Sequence, residues 1–262
     1  MAAHTVEPDQ PLGAPPNRGP APDGATLNEV HDPGRLDTSA PLMNTLTKLA
    51  LGLIGQLKPL PPAEGATPVR ALVAPSLTGG MPLIAALLAR KSLREFAPEP
   101  LPDQVLSDLL WAAAGINRHD LGGRTTPSAM NSQEVLLYVA MPEGLFLYEP
   151  GPHQLRLVVA TDVRRVTGNQ DFVDSAPLDL IFVADHARMT LVPAAQRTAF
   201  AFAAAGAMAQ NVYLYCASEG LATVIRAWFD RDALARAMGL HADHQLLLSQ
   251  TVGARPGPAQ AG

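Results

Sequence analysis

The chain has 262 residues, of which 47% are hydrophobic and 16% are charged, so it is long enough and apolar enough to bury a sizeable core. Its formal net charge of -5 argues against a general nucleic-acid binder, because affinity for a phosphate backbone requires a basic face. A single cysteine, Cys216, rules out an internal disulfide framework, and no uncharged apolar run reaches the roughly 18 residues of a membrane span.

The first 79 residues differ in composition from the rest of the chain. Residues 1–40 are rich in proline, glycine, aspartate and alanine, and such a segment buries too little surface to offset its chain entropy, which predicts a disordered arm. At about 42–57, apolar residues at helical spacing predict a short amphipathic helix that docks on its own domain, on a partner subunit or on a membrane surface. The first residues show no secretory signal pattern, so we expect a cytoplasmic protein.

A globular pattern runs from residue 80 to 253, and a flexible tail is expected at 254–262. Apolar residues that recur every three or four positions predict the helices. These helices span 81–91, 101–116, 162–168, 194–218 and 230–238. The helix at 194–218 is apolar nearly all round, which predicts burial in the core or at a subunit interface.

Short apolar runs between turn residues predict the strands. They lie at 134–140, 145–148, 154–159, 178–184, 220–225 and 245–252, and residues 117–123 are expected to form a polar loop. The strands at 145–148 and 154–159 flank Pro150-Gly151-Pro152 and predict a hairpin. Helices interleaved with strands and hairpins favour an α+β fold.

The stretch at 90–94 carries the strongest chemical pattern, with three cations and a hydroxyl in five consecutive positions: Arg90, Lys91, Ser92 and Arg94. An arginine binds a phosphate monoester through two hydrogen bonds, a lysine binds it as a point charge, and a serine donates a short hydroxyl bond. The same residues also suit a solvated basic end of a helix. Taken alone, the stretch leaves both interpretations open.

A second polar stretch, at 126–133, concentrates hydroxyl and amide groups between a loop and a strand; alone, it is typical of a turn with a helix cap. Combined in order with other motifs, the two stretches resemble the FMN-dependent nitroreductase family over roughly 80–253. The motifs are Arg90-Lys91-Ser92-Leu93-Arg94, Leu110-Trp111-Ala112-Ala113, the run 123–133, the run 205–211 and the run 218–223. Gly115-Ile116-Asn117-Arg118 and the run 144–148 are more specifically similar to the azoline dehydrogenase branch of that family.

The resemblance implies a homodimer with a central mixed or antiparallel sheet, flanking helices and FMN at the subunit interface. It assigns the FMN phosphate and ribityl contacts to Arg90, Lys91, Ser92 and Arg94. It assigns the segment that packs on the flavin from the second subunit to Pro127, Ser128, Ala129 and Asn131, with Gln133 as a further member.

The resemblance also places Ile225, Arg226 and Ala227 where the family's backbone passes the flavin N5 edge. The Arg226 side chain is then the candidate substrate contact, and a solvated arginine at the end of a strand is the alternative. Of the basic residues that usually follow the last strand in this family, only Arg255 is present.

The implied function is two-electron hydride transfer through flavin N5. A reduced nicotinamide, NAD(P)H, or an azoline substrate would supply the hydride, and a quinone, a nitroaromatic or dioxygen would accept the electrons. We expect no catalytic side chain, because the flavin carries the chemistry. No metal is expected, since His241, Asp243 and His244 lack a further ligand placed by the sequence. The alternatives are a non-catalytic FMN-binding subunit of a modifying complex, and a flavin-fragmenting or dehalogenating enzyme of the same fold.

Overall fold

The computed structural model of the protein describes residues 67–257, so the predicted arm at 1–40, the amphipathic segment at 42–57 and residues 258–262 lie outside the described residues. Within this range the strands are β1 (Val69–Ala71), β2 (Ile116–Arg118), β3 (Gly123–Arg124), β4 (Val135–Met141), β5 (Gly144–Glu149), β6 (Gln154–Val159), β7 (Leu178–Asp185), β8 (Ala222–Arg226) and β9 (His244–Gly253). The α-helices are α1 (Leu83–Ala89), α2 (Asp103–Ala114), α3 (Ala194–Ser218) and α4 (Arg231–Met238).

Seven of these strands form one sheet in the order β1-β6-β5-β4-β7-β9-β8. Every pairing in this sheet is antiparallel, which confirms the α+β class and resolves the expected mixed or antiparallel sheet as antiparallel. β8 forms one edge of the sheet, and β2 and β3 form a separate short hairpin. No helix of the described chain has both the length and the apolar character needed to cross a membrane.

The central strands separate two hydrophobic cores because successive side chains of a strand point to opposite faces. On β4, Leu137 and Val139 join the core that contains residues of α2 and α3. Tyr138 and Ala140 point the other way and pack in the core beneath α4. Burial on both faces explains why β4 and β7 are nearly continuous apolar runs rather than alternating ones.

Most helix boundaries follow local chemistry. α3 coincides with the predicted 194–218. α4 begins where the Asp230 carboxylate accepts a 2.9 Å hydrogen bond from the Ala233 N–H, and it ends at Gly239, whose φ of 64° suits glycine. α1 is shorter than predicted because Arg90 takes an extended conformation, with φ −58° and ψ 122°.

Three predictions about local structure are wrong. Residues 162–168 contain only a 3-10 turn at Arg164–Val166 instead of a helix. The loop predicted at 117–123 connects the strands of the β2–β3 hairpin and overlaps both. The boundary at residue 80 is too late, because β1 belongs to the sheet and pairs with β6.

Candidate functional site

The basic stretch at 90–94 lies along the outer edge of the sheet. After α1 the chain is extended, and the Leu93 N–H donates a 3.0 Å hydrogen bond to the Thr223 carbonyl of β8. Further on, the Ala97 N–H donates a 2.9 Å bond to the Ala254 carbonyl, just after β9. These two bonds attach the stretch to an edge strand whose backbone groups would otherwise face solvent.

The cations at this edge are not neutralised by the described chain. Lys91, Arg94 and Arg255 are exposed and Arg90 is half-buried. Among residues 67–257 none of the four forms an ion pair, whereas six other arginines pair with aspartate or glutamate. Such a set of guanidinium and ammonium groups beside a serine hydroxyl fits a phosphate monoester.

Tyr213 connects this stretch to α3 and β8. Its hydroxyl lies 2.7 Å from Ser92 Oγ and accepts a 3.0 Å hydrogen bond from the Ile225 N–H. The Arg90 guanidinium carbon lies 5.3 Å from the centre of the Tyr213 ring. Sequence reasoning missed Tyr213 because it occupies an otherwise apolar helix; the signal that could have found it is the polar tip of a buried tyrosine, which requires a partner.

The end of β8 presents backbone to the same edge. Because the Ile225 N–H is bonded to Tyr213 rather than to β9, it points to the outer side of the strand. Ile225 is half-buried and Ala227 is exposed. Ile225 and Ala227, whose backbone the resemblance places beside the flavin, therefore lie at the outer edge of β8, next to the basic stretch.

The expectation for the Arg226 side chain is corrected. Its guanidinium is 4% exposed and lies 2.7 Å from the Asp179 carboxylate of β7. It also donates to the hydroxyls of Ser249 and Thr251 on β9. Arg226 follows Ile225 on the strand and so points to the opposite face, where it forms an interior ion pair instead of a substrate contact or a solvated strand end.

The turn at 127–133 is held in an unusual backbone conformation. Met130, Asn131 and Gln133 have positive φ values of 54°, 52° and 48°, which cost non-glycine residues roughly 1–3 kcal/mol each unless the surroundings fix them. The Ser128 hydroxyl accepts a 3.0 Å bond from the Gln133 N–H, and the Gln133 amide donates a 2.8 Å bond to the Gly122 carbonyl. Gln133 is buried and therefore shapes the turn from inside, whereas a contact to the cofactor was expected.

The outer side of this turn faces a cavity of about 400 Å³ that it shares with the first half of α3. Most of the lining side chains are apolar, with Met130 on the turn and Phe200 and Ala203 on the helix. Gln196 supplies an amide, and no charged side chain lines the cavity. The cavity can therefore accept a flat or apolar neutral group.

Within one subunit the turn and the basic stretch do not meet. The cavity beside the turn reaches α3 at Ala204, whereas the basic stretch reaches the helix at Tyr213. Nine residues separate these positions, or about 14 Å along a helix axis. A single subunit thus carries these two groups of candidate residues at separate places along α3.

The exposed surfaces of α3 and α1 are unusually apolar or small. On α3, Ala199, Ala203 and Gly206 are exposed, and a Cβ added at Gly206 would meet no atom within 4 Å. On α1, Ile84 is 76% and Leu88 is 88% exposed. Contiguous exposed apolar surface of this kind is typical of interaction sites.

Two other groups that the sequence singled out are placed as follows. Cys216 is buried in α3, as expected, and burial raises the pKa of its thiol well above the ordinary range. His241 and His244 lie next to each other near the start of β9, with ring centres 5.3 Å apart. In the part of the chain that the structure describes, no group of three or more His, Cys, Asp or Glu residues could hold a metal ion.

Gln170 is a further polar residue that the sequence did not indicate. Its side-chain oxygen is buried and has no hydrogen-bond partner among the described residues. It lies near the end of β8, since a Cβ at Gly168 would be 2.7 Å from this oxygen and 2.9 Å from Arg226 Nε. A buried acceptor without a donor is rare in native proteins and suits a ligand N–H.

Comparison with known proteins identifies relatives of the chain. The model of the nitroreductase family matches residues 87–254. A Methanocaldococcus jannaschii protein named as a nitroreductase is 32% identical over 157 residues, which are 56% of this chain and 79% of that protein. A crystal structure from Ralstonia eutropha, also named as a nitroreductase, is 52% identical with a TM-score of 0.70, over 75% of this chain and 94% of its own. The NADPH:FMN oxidoreductase of Vibrio harveyi, complexed with NAD⁺, shares the fold at 22% identity and a TM-score of 0.50, over 67% of this chain and 69% of its own.

Proposed function

The chain belongs to the nitroreductase family and is an oxidoreductase of that type; we propose that it binds FMN at the interface of a homodimer and transfers two electrons as hydride. The observation that carries the proposal is the edge at 90–94, where three cations without an ion pair among the described residues flank a serine hydroxyl in the chain. FMN ends in a phosphate monoester, which this set of donors fits. The similarity of the fold to an NADPH:FMN oxidoreductase supports the same cofactor.

The residues divide the binding of FMN between them. Arg90, Lys91 and Arg94 would neutralise the phosphate and reach the ribityl chain, and Ser92 would donate its hydroxyl hydrogen. Arg255 is close enough in the chain to contribute, since the neighbouring Ala254 carbonyl binds the Ala97 N–H at the same edge. The buried, unpaired oxygen of Gln170 is suited to accept a hydrogen bond from the ring system.

A second copy of the chain would complete the site. The turn contacts α3 too far from Tyr213 for its residues to reach the basic stretch of their own subunit. These residues are Pro127, Ser128, Ala129 and Asn131. Close approach of two copies along the small-residue face of α3 would bring this turn to the neighbour's stretch. The same contact would cover apolar surface that is exposed in the isolated subunit.

When bound, FMN supplies hydride acceptance and donation at its N5 atom. The protein's contribution is to bind, orient and shield the ring. Backbone groups of Ile225 and Ala227 other than the Ile225 N–H, which is bonded to Tyr213, would hold the ring at the outer edge of β8. The cations of the stretch would stabilise negative charge on it. This arrangement calls for no histidine or cysteine as a proton donor.

The cavity beside the 127–131 turn would receive the second substrate. Its apolar, uncharged lining favours a neutral planar compound such as a quinone, a nitroaromatic or an azoline. We propose NAD(P)H as the hydride donor for the first two, whereas an azoline would itself donate hydride. The motifs at 115–118 and 144–148 favour an azoline, because they resemble the azoline dehydrogenase branch of the family.

Substitution of the basic stretch tests this function. The double variant Arg90→Ala/Arg94→Ala should lose FMN while it remains folded, because a hydrogen bond to a charged group contributes about 1.5–3 kcal/mol. The matched control is Arg70→Ala/Arg165→Ala, which removes the same charge from exposed ion pairs that involve no residue of the basic stretch and should keep FMN. FMN content after gel filtration and the melting temperature are measured for both. A folded Arg90→Ala/Arg94→Ala protein that retains FMN at low micromolar concentration would show that the phosphate assignment is wrong.

A further inference from the structure

We propose that Tyr213 is a positioning residue of the flavin site, whose hydroxyl directs the hydrogen-bond donor of Ser92 towards the FMN phosphate. The inference rests on the proposed function, because it assigns a role to a residue behind the phosphate-binding stretch. Tyr213 is 6% exposed, so it acts through Ser92 and Arg90 and not by contact with solvent-borne ligands.

The hydrogen bonds around the Tyr213 hydroxyl set the direction of the donors. The Ile225 N–H can only donate, so the tyrosine oxygen is its acceptor at 3.0 Å. The tyrosine keeps one hydrogen of its own, and Ser92 Oγ, 2.7 Å away, is the acceptor within reach. If Tyr213 donates to Ser92, the Ser92 hydrogen is left to point at an anion. The result is a chain of donors from the backbone of β8 through Tyr213 to Ser92.

Such a series of hydrogen bonds is stronger than a single hydrogen bond. Each donor that also accepts a hydrogen bond becomes more polarised, so the terminal Ser92 hydroxyl becomes a better donor to a phosphate. The series of hydrogen bonds also begins at β8, the strand that is proposed to hold the flavin ring. Tyr213 therefore fixes the distance between the phosphate end and the ring end of the site.

The ring of Tyr213 has a separate role from its hydroxyl. The Arg90 guanidinium stands over the ring at 5.3 Å, a cation–π geometry that limits the positions of this long side chain. One buried side chain thus orients two of the four phosphate-binding groups. Tyr213→Phe removes only the effect on Ser92, whereas Tyr213→Leu removes the effect on Arg90 as well.

The test compares FMN with riboflavin, which has the same ring and ribityl chain but no phosphate. Tyr213→Phe should raise the Kd for FMN about tenfold, the scale of one lost hydrogen bond to a charged group. The Kd for riboflavin should change less than about twofold, because Ser92 then has no phosphate to bind. Tyr213→Leu should weaken the binding of FMN further. Flavin fluorescence titration of the purified apoprotein gives both constants.

Tyr215→Phe is the matched control, since it removes a hydroxyl from the same helix two residues away. The Tyr215 hydroxyl donates to the Val105 carbonyl at 3.3 Å and does not contact the basic stretch. This variant should leave both Kd values unchanged. In addition, Ser92→Ala should abolish the effect of Tyr213→Phe on FMN, because the chain of donors then has no terminal group.

Three outcomes would overturn the inference. Equal FMN affinity of Tyr213→Phe and the wild type would show that the hydroxyl does not direct Ser92. Equal losses for FMN and riboflavin would show that Tyr213 only supports the fold. A wild-type protein that binds neither flavin would overturn the proposed function and this inference with it, and so differs from the first two outcomes.

Discussion

The pair of Arg226 and Asp179 is a buried ion pair, with 4% and 0% of the two side chains exposed. Asp179→Asn leaves the guanidinium buried without a counter-charge, which should reduce the free energy of unfolding by about 3–5 kcal/mol. Asp174→Asn is the matched control: its carboxylate pairs with Arg165 at 3.6 Å on the surface, and its loss should cost less than about 1 kcal/mol. Urea unfolding measures the free energy of unfolding of both variants. Equally small losses of this free energy in the two variants would mean that the interior pair does not hold the end of β8.

His153 should make stability depend on pH. Its ring nitrogens lie 2.7 Å from Ser107 Oγ and 2.9 Å from the Tyr148 hydroxyl. Burial lowers the pKa of His153 below the ordinary 6.5, although the Val73 carbonyl and the Asp108 charge act in the opposite direction. The unfolded chain therefore binds this proton first as the pH falls, so stability is present above pH 6.5 and is lost below it.

The substitution His153→Asn should flatten this dependence, since asparagine does not titrate and tolerates the φ of 50° at this position. The measurement is the free energy of unfolding between pH 7.5 and pH 5.5, values chosen about one unit either side of an ordinary histidine pKa. His119→Asn, at an exposed position, is the control and should keep the wild-type slope. Part of the slope should remain in His153→Asn because burial also lowers the pKa of His244. An unchanged slope in His153→Asn would contradict the assignment.

At the residue scale, the sequence predicted which side chains bear charge but not which way they face. Arg90, Lys91, Ser92 and Arg94 were recognisable because four suitable groups fall within five consecutive positions. The interior position of Arg226 depends on the side of β8 that faces Asp179, and the two residues are 47 positions apart. No local pattern contains that pairing, and the same holds for the contact between Ser92 and Tyr213, at a separation of 121.

At the scale of elements, Gly206 on α3 distinguishes a solvent-facing helix from an interface helix. In an isolated subunit Gly206→Ala should stabilise the helix by about 0.8–1.0 kcal/mol, because the new Cβ would meet no atom within 4 Å. If two copies approach closely along this face, the methyl group instead weakens the dimer. Sedimentation equilibrium should therefore show a higher dimer dissociation constant for Gly206→Ala. Arg236→Ala, on the exposed side of α4, is the control and should leave dimerisation unchanged. A dimer dissociation constant that Gly206→Ala leaves unchanged would contradict the proposed interface.

The longest apolar segment was predicted with both its ends, and elements of two or three residues were not predicted. α3 spans 25 residues, and its apolar pattern determined both ends. β1, β2 and β3 have three, three and two residues, which is too short for any period to appear. β1 is held by its pairing with β6, so its existence follows from tertiary contacts that a local pattern does not contain.

At the scale of the whole molecule, we propose that a dimer joins two segments that lie apart in one subunit. The basic edge beside β8 would bind the phosphate, and the turn at 127–131 would cover the ring bound by the neighbouring subunit. The sequence indicated both segments through their resemblance to a family. Their separation along α3 became apparent only from the fold, because it depends on where each segment contacts the helix.

The absorption spectrum of the purified protein, followed under anaerobic titration, tests the central claim most directly. The account predicts the visible bands of oxidised flavin, with FMN released on denaturation at one molecule per subunit. NADH or NADPH should bleach these bands, and a neutral quinone should restore them. A purified protein that shows no flavin spectrum, and gains none after incubation with FMN, would contradict the account.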